Sequence, residues 1–287
     1  MQKALFLAKL LRKFKFIQHG YPGIINFNLK KNVNNLKFKV PIINNIGWNN
    51  IFDNEPWMSK LLEKLLSEKK GLFIDVGANI GQTLIKLKSI APEVFYYGFE
   101  ANPVCLFYLN ELIRVNKFAG ISLFPIGLSD ITGLASLNFF SKYSDDATAS
   151  VLDQIRPDSI IEKKEFVYLT RLDDLNQKFT DNISILKIDV EGAELEVLKG
   201  SILTIKNHRP IIIIEILPVY SLSNRWRLER QTELEQLIQS INYKKIRIVK
   251  DNKNNLLSLN YLDNIGVNSN ILERDYLLIP NEINLEL

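Results

Sequence analysis

A short loop bounded by two glycines is the first feature that could bind a cofactor. Gly77 and Gly81 enclose Ala-Asn-Ile, and they follow the apolar run Leu72–Val76, which carries the acid Asp75. A run of this kind is typical of a strand buried on both faces of a parallel sheet. A helical pattern follows Gly81, and free N–H groups at a helix start can face a ligand that glycines let approach closely. Strand, loop and helix together predict a Rossmann-like nucleotide site.

The chemistry of this loop separates the common nucleotide cofactors. Asn79 stands where a dinucleotide fingerprint has its middle glycine, and it would crowd a pyrophosphate. No lysine follows Gly81 directly, so the loop is not a P-loop. Asp75 would repel phosphate but could hold an ammonium group, directly or through water, and S-adenosylmethionine carries an ammonium and no phosphate. An ordinary strand-turn-helix unit would look the same, so the residues downstream decide.

Further polar residues could complete a cofactor site. Glu100 ends the second predicted strand and lies 25 positions after Asp75, close to the spacing at which a Rossmann acid binds ribose. A carboxylate suits this task because it can accept two hydroxyl hydrogen bonds at once. Asn102 opens the next predicted helix and is grouped with Glu100 as a cofactor-binding residue. Asp130 follows the third predicted strand, where it either accepts a hydrogen bond from an adenine amino group or is an ordinary turn residue.

The catalytic candidates lie at the end of the fourth predicted strand. In a strand, Lys187, Asp189 and Glu191 point the same way, and ligands of open α/β sheets bind at the carboxyl ends of strands. A carboxylate at such a position could act as a general base, which an alcohol substrate would need because the pKa of an alcohol is far above neutral. We therefore predict that Asp189 is the base or positions the acceptor, with Glu191 beside it.

Three residues are candidates for contact with the acceptor. Lys187 either binds the acceptor or pairs with a neighbouring carboxylate. Glu215 follows the apolar run of the fifth predicted strand. Ser150 belongs to Ser141–Lys164, a long polar segment without a period, and such segments are usually functional or disordered. We predict that this segment is a mobile lid, although a disordered surface loop would have the same composition.

A metal site is the second interpretation of the same acids. Asp189, Glu191 and Glu215 could hold a divalent cation such as Mg²⁺, since hard cations take oxygen ligands. The two histidines, His19 and His208, are too few and too far apart in the sequence to suggest a histidine site. The sequence does not choose between a bare base and a metal, and we rank the base first.

The order of the elements predicts how these residues are positioned. Apolar runs alternate with helical patterns, which implies a mostly parallel sheet with right-handed crossovers and helices on both faces. Residues 56–287 are predicted to form this domain, and residues 1–55 a basic N-terminal extension, poorly regular over 20–50 apart from one strand at Leu36–Ile43. The predicted strands are Leu72–Val76, Val94–Glu100, Ile121–Leu128, Ile183–Val190 and Pro210–Leu217, with an extra strand at Leu134–Phe140, a return to the sheet at Phe166–Leu169 and closing strands at Tyr243–Lys250 and Asp275–Pro280.

The charge is distributed unevenly along the chain. The first 52 residues hold nine Lys/Arg and no acid, which leaves 27 basic and 32 acidic residues in the remainder. Residues 1–18 are predicted to form a basic amphipathic helix, which could lie in a membrane interface or attract RNA. Packing against the domain is slightly favoured, because most amphipathic helices of soluble proteins face a core. The single cysteine, Cys105, excludes an internal disulfide and fits a reducing compartment, so we expect a cytoplasmic protein, with a peripheral contact at the inner face of a membrane as a further expectation.

Five motifs in register resemble the FkbM family of S-adenosylmethionine-dependent methyltransferases. They are the segments 74–81, 99–103, 172–175, 186–194 and 214–215, and they cover roughly residues 70–220. The resemblance implies a class I methyltransferase fold with a seven-stranded sheet whose last pair is antiparallel. It also implies O-methylation of a hydroxyl, often on a sugar.

Three functions remain open at this point. The first is a methyltransferase acting on a hydroxyl of a glycan, lipid-linked glycan or other small molecule. The second is an RNA methyltransferase, suggested by the basic residues 1–52, although no Asn/Asp-Pro-Pro-Tyr/Phe motif for base amino groups follows the fourth predicted strand. The third is a module that keeps the fold without catalysis, which the intact Asp75, Glu100 and Asp189 disfavour. Nucleic acid is therefore not the expected partner, and the sequence gives no oligomeric state.

Overall fold

The computed structural model describes residues 26–52, 55–142, 146–156, 159–175, 181–268 and 270–283. The predicted helix over residues 1–18 lies outside these ranges. In chain order the strands are β1 (Phe27–Val33), β2 (Leu36–Ile42), β3 (Leu72–Val76), β4 (Tyr96–Phe99), β5 (Ile121–Phe124), β6 (Gly127–Leu128), β7 (Gly133–Phe139), β8 (Lys163–Thr170), β9 (Ile183–Ile188), β10 (Ile211–Glu215), β11 (Tyr243–Lys250), β12 (Leu256–Leu262) and β13 (Asp275–Pro280).

The main sheet has eight strands in the order β12-β11-β13-β10-β9-β3-β4-β5. The pairs β10–β9, β9–β3, β3–β4 and β4–β5 are parallel, so these five strands end at one edge of the sheet. β13 runs antiparallel to both β10 and β11, and β12 runs antiparallel to β11. The predicted parallel core and antiparallel closing strands are confirmed, but the predicted number of seven strands is wrong because β12 adds an eighth at the edge.

Helices cover both faces of this sheet, as the alternating pattern predicts. In chain order they are α1 (Pro56–Glu68), α2 (Gln82–Ile90), α3 (Pro103–Asn116), α4 (Leu172–Leu175), α5 (Glu194–Lys199), α6 (Ile202–His208) and α7 (Arg225–Ser240). The first three helices belong to one buried apolar layer, and the other four belong to a second. Alternate residues of a strand supply opposite layers: Phe73 packs in the first and Ile74 in the second. The full burial of β3 explains its continuous apolar sequence.

The N-terminal extension contains a β-hairpin, which corrects the expectation of poorly regular structure. β1 and β2 are antiparallel, and the turn residues Asn34 and Asn35 have positive φ of 46° and 64°. Asparagine tolerates this left-handed conformation better than most residues. β2 packs against α3, where the Asn116 side chain bonds the Lys39 backbone at both N–H and C=O. Pro41 lies within β2 and does not interrupt it.

A second, three-stranded sheet in the order β6-β8-β7 stands beside the main one. The predicted strand Ile121–Leu128 is divided between the two sheets, because β5 belongs to the main sheet and β6 to the small one. The return predicted at Phe166–Leu169 is correct as a strand, but it joins the small sheet and starts earlier, at Lys163. Within the described ranges, no helix is long and apolar enough to cross a membrane.

Candidate active site

A cavity of about 230 Å³ lies where the parallel strands end. The glycine loop after β3, the acid after β4 and the segment after β9 all contribute to its wall. Apolar side chains form another part of the wall: Phe99, Leu128, Leu137, Val151 and Leu169. The cavity thus combines an apolar part, suited to an aromatic ring, with a strongly acidic part.

Glu100 ties two loops of the cavity together. Its Oε2 accepts a hydrogen bond from the Asn79 backbone N–H at 2.6 Å, and its Oε1 accepts one from the Asn102 N–H at 2.7 Å. Burial raises the pKa of Glu100 to about 7, although both amide bonds act in the opposite direction. The Asn102 side chain caps α3 by accepting from the Val104 N–H at 2.9 Å. Glu100, Asn79 and Asn102 all line the cavity, as predicted for cofactor-binding residues.

The two glycines of the loop have different structural tasks. Gly77 lines the cavity with φ of 81°, and a Cβ there would lie 1.9 Å from the backbone oxygen of Asp189. Only a glycine therefore lets the loop after β3 touch the segment after β9. Gly81 begins α2 and does not line the cavity, and a Cβ there would collide with Leu109 and Leu112 of α3. The close packing against α3 gives Gly81 a structural role, and its predicted contact with the cofactor stays a prediction.

Asp75 does not line the cavity, although the sequence predicted that it could hold the ammonium of a cofactor. It is fully buried within β3 and contacts an ammonium of the protein itself, since Lys187 Nζ lies 3.3 Å from its Oδ1. The Tyr96 hydroxyl donates to its Oδ2 at 2.7 Å. Lys187 Nζ also donates to Asp189 Oδ2 at 3.2 Å. Lys187 thus pairs with two carboxylates while it also lines the cavity, and its predicted contact with the acceptor stays a prediction.

Three acids meet at the catalytic end of the cavity. Carboxylate oxygens of Asp189, Glu191 and Glu215 lie within 4.8 Å of one another. Glu191 pairs with Arg156 at 2.8 Å, and Glu215 pairs with Arg274 at 3.0 Å. Burial and the adjacent Asp189 raise the pKa of both glutamates, and their arginine partners oppose this change. The cluster is thus held together by protein cations, although its carboxylates are also close enough to share one metal ion.

The backbone of Glu191 is in the left-handed region, with φ of 53°. Such a conformation costs a non-glycine residue about 1–2 kcal/mol. Strained residues of this kind concentrate where a side chain must be aimed, and the adjacent Gly192 continues the turn with φ of 108°. The strain directs the Glu191 carboxylate toward Arg156 and the cavity.

Polar side chains of the predicted lid form hydrogen bonds with the backbone in its described part and beside it. The Asp146 carboxylate accepts hydrogen bonds from three backbone amides, those of Phe140, Ser141 and Thr148. Arg156 donates to the Thr148 carbonyl at 2.6 Å while it pairs with Glu191. The segment therefore joins the small sheet to the acid cluster. Its predicted motion as a lid stays a prediction.

Two predicted residues lie away from the cavity. Ser150 is buried, and its hydroxyl accepts from the Leu152 N–H at 3.2 Å instead of facing the cavity that its neighbours Ala149 and Val151 line. Asp130 does not line the cavity either, and it accepts a hydrogen bond from the Ser129 hydroxyl at 3.2 Å. This geometry favours the turn interpretation of Asp130.

Four residues of the site or its surroundings are not among those predicted from the sequence: Arg156, Arg274, Tyr96 and Glu55. The arginines are far in sequence from their partners, so no spacing connects them with the acids; Glu191 is 35 residues from Arg156. Tyr96 could have been found, because β4 pairs with β3 and an inward-pointing tyrosine there can reach an acid on the neighbouring strand. Glu55 lines the cavity and pairs with Lys86 at 3.1 Å, although it precedes the predicted domain.

Comparison with known proteins identifies related sequences over the same region. The family model described as the methyltransferase FkbM domain matches residues 75–245. Methyltransferase sdnD of Sordaria araneosa is 29% identical over 152 residues, which cover 44% of this chain and 59% of that protein. Methyltransferase 1 of Beauveria bassiana (strain ARSEF 2860) is 26% identical over 141 residues, covering 44% and 57%. The matched part thus spans less than two thirds of either curated relative.

A solved structure with the same family name also resembles the chain. It is the crystal structure of methyltransferase FkbM from Methylobacillus flagellatus KT, with a TM-score of 0.45 and 18% sequence identity. The match covers 73% of this chain and 43% of that one.

Proposed function

This chain belongs to the FkbM family of S-adenosylmethionine-dependent methyltransferases, and from that premise we propose that it methylates a hydroxyl of a neutral acceptor such as a sugar. The observation that carries the proposal is the cluster of Asp189, Glu191 and Glu215 in the cavity wall. Carboxylates accept hydrogen bonds, so they suit a substrate that offers several hydroxyl groups.

The residues of the cavity fit the cofactor that the family uses. The Glu100 oxygens bond the loop amides and keep further lone pairs for two ribose hydroxyls. The apolar wall near Phe99 and Leu128 suits an adenine ring. When bound, S-adenosylmethionine supplies an electrophilic methyl group on a sulfonium.

Asp189 is the residue we assign to the reacting hydroxyl. Its side chain is 31% exposed, whereas that of Glu215 is 6% exposed, so Asp189 is the more accessible to an acceptor. In this role it accepts the hydroxyl hydrogen bond, aligns the oxygen and takes the proton as the oxygen reacts. Glu191 and Glu215 remain paired with their arginines and shape the space around it.

The charge of the cavity supports a neutral acceptor over RNA. Six carboxylates line it, together with the cations Lys187 and Arg274: Glu55, Glu100, Asp146, Asp189, Glu191 and Glu215. Lys86 and Arg156 pair with Glu55 and Glu191 from outside the wall, and the six lining carboxylates still outnumber these four cations. A phosphate would be repelled by this excess of negative charge. The basic residues 1–52 could attract RNA, but the reacting end of the cavity is unfavourable to it.

Labelled cofactor tests the proposal with three acceptor pools: neutral glycosides, their phosphorylated counterparts, and RNA. We expect transfer to a neutral glycoside, and transfer to RNA alone would contradict the proposal. With the glycoside that accepts the methyl group as substrate, Asp189→Asn should lower turnover by roughly 10²–10⁴-fold. Its affinity for S-adenosylhomocysteine should stay unchanged. Asp263→Asn, at an exposed position, is the control with the same chemical change. Near-normal turnover of Asp189→Asn would exclude the residue from the chemistry.

The spacing of the acids keeps a metal-assisted version as a second candidate. Their oxygens lie close enough to share one ion, which hard cations such as Mg²⁺ would accept. Against it, Lys187, Arg156 and Arg274 already compensate the three carboxylates. We expect activity to persist with a chelator, whereas loss of activity that magnesium restores would favour the metal.

A further inference from the structure

We infer that Asp75 positions the catalytic Asp189 through Lys187, and that it does not contact the cofactor. This inference rests on the role proposed for Asp189. Asp75 would then be a positioning residue, although a carboxylate before a glycine loop suggests a ligand of the cofactor from sequence alone.

The first support is the enclosure of Asp75. Its side chain has no exposure and is absent from the cavity wall, whereas Val76 and Gly77 next to it line that wall. One carboxylate oxygen faces the Tyr96 hydroxyl and the other faces Lys187. The carboxylate therefore faces partners within the protein, and it does not form part of the wall that a cofactor in the cavity would contact.

The second support is the geometry of Lys187. Its ammonium lies between two carboxylates, 3.3 Å from Asp75 Oδ1 and 3.2 Å from Asp189 Oδ2. The parallel register pairs Asp75 directly with Lys187 across β3 and β9, so the contact is fixed by the sheet itself. Burial opposes the charge of Lys187, but Asp189 and Asp75 together raise its pKa. The lysine thus stays protonated and is held in place.

The third support is the position of Asp189 at the end of this series. Among the described residues, the side-chain donor that bonds its carboxylate is Lys187. Carboxylate oxygens of Glu191 and Glu215 lie within 4.8 Å of it, and like charges at this distance repel. Lys187 supplies the attraction that keeps Asp189 in place, and Asp75 fixes Lys187. Tyr96 in turn fixes Asp75 through its hydroxyl.

Calorimetry with S-adenosylhomocysteine tests the first half and needs no acceptor. Asp75→Asn has nearly the same shape, and we expect its affinity to remain close to that of the unmodified protein. A direct contact between Asp75 and the ammonium would instead weaken binding by about tenfold or more. That result would overturn the inference.

Turnover at saturating cofactor, measured on the neutral glycoside found with labelled cofactor, tests the second half. We expect Asp75→Asn and Lys187→Met to lower kcat by roughly 10- to 100-fold, the scale of a small misplacement of a reacting group. Lys187→Arg should recover part of the loss, because it restores a cation between the two carboxylates. Tyr96→Phe removes one hydroxyl and should give a smaller loss, which covers the case in which Asp75→Asn folds poorly.

Glu235→Gln is the matched control, because Glu235 pairs with Lys245 in a half-buried ion pair outside the cavity wall. It should leave both affinity and kcat unchanged. If Asp75→Asn and Lys187→Met have normal kcat and Asp189→Asn is inactive, the inference about Asp75 is overturned and the proposed function still stands. Normal kcat in Asp189→Asn would overturn the proposed function as well.

Discussion

At the scale of single residues, Glu100 shows how one side chain can join two loops and also line the cavity. Its two oxygens hold the Asn79 and Asn102 amides, and the same carboxylate forms part of the cavity wall. The loops that would surround the ribose are therefore arranged before a cofactor binds. Arrangement in advance improves affinity because less conformational freedom is lost on binding.

Glu100→Ala should weaken binding of S-adenosylhomocysteine by about 1–3 kcal/mol, the scale for losing hydrogen bonds to a charged group. The affinity of the unmodified protein should also rise with pH as the medium passes through about 7, where the pKa of Glu100 lies. The sign follows from the ribose hydroxyls, which donate to the ionised carboxylate and favour proton release. Calorimetry at several pH values measures both effects.

The control for this prediction is Glu111→Ala, on the α3 surface. Its affinity for S-adenosylhomocysteine should equal that of the unmodified protein at every pH. An affinity of the unmodified protein that does not change between about pH 6 and 8, where the protonation of Glu100 changes, would contradict the assignment.

The sequence predicts the types of the site residues better than their partners. Asp189 and Glu191 are found because strand spacing and position suffice to place them at the cavity. Arg156 has no such signal, since two strands, β8 and β9, and the segments around them separate it from Glu191. For Asp75 the sequence predicts a contact with the cofactor but not its pairing with Lys187, because the register that joins β3 to β9 is not visible in the sequence.

At the scale of elements, the buried strands are easy to predict and the exposed ones are not. β3 and β10 are buried along their whole length, so their sequences are continuous apolar runs. β1 and β12 are largely exposed, and their asparagines, lysines and serines resemble those of a loop. An edge strand needs few apolar residues, because water rather than a core covers much of its surface.

Gly77 lies where two secondary-structure elements meet, and we expect it to tolerate substitution least. Gly77→Ala would place a methyl group against the Asp189 backbone oxygen and push the loop after β3 away from the end of β9. We expect a large fall in the melting temperature and in affinity for S-adenosylhomocysteine. Thermal unfolding and calorimetry measure the two effects.

Gly266→Ala separates the collision from backbone strain in this comparison. Gly266 has φ of 73°, close to the 81° of Gly77, but apart from its two chain neighbours no described residue has an atom within 4 Å of a Cβ built there. It should cost only the strain of a left-handed alanine, about 1–2 kcal/mol. Equal effects of the two substitutions would show that the close approach of the loop to β9 does not matter.

At the scale of the whole molecule, the segment from 27 to 51, which includes the N-terminal hairpin, contacts the glycine loop after β3 and helix α3. The Asn50 side chain donates to the Ile80 carbonyl at 2.7 Å, and the Tyr108 hydroxyl donates to the Pro41 carbonyl at 2.8 Å. Trp48 and Asn50 are buried at this contact. The segment from 27 to 51 therefore supports the glycine loop from the side of α3, a role that its polar composition did not suggest.

Because the basic residues are concentrated at the N-terminus, truncation can test cofactor binding and membrane contact separately. Removing residues 1–25 should leave affinity for S-adenosylhomocysteine unchanged, because Glu55 is the first of the described residues in the cavity wall and the hairpin is retained. Membrane contact through residues 1–18, which remains a proposal, requires the full chain to sediment with anionic vesicles and the truncated chain to stay in solution. Salt should weaken this binding and neutral vesicles should not support it. A full-length chain that stays in the supernatant with anionic vesicles at low salt would exclude the membrane contact, and a loss of cofactor affinity on truncation would assign residues 1–25 to the support of the cavity.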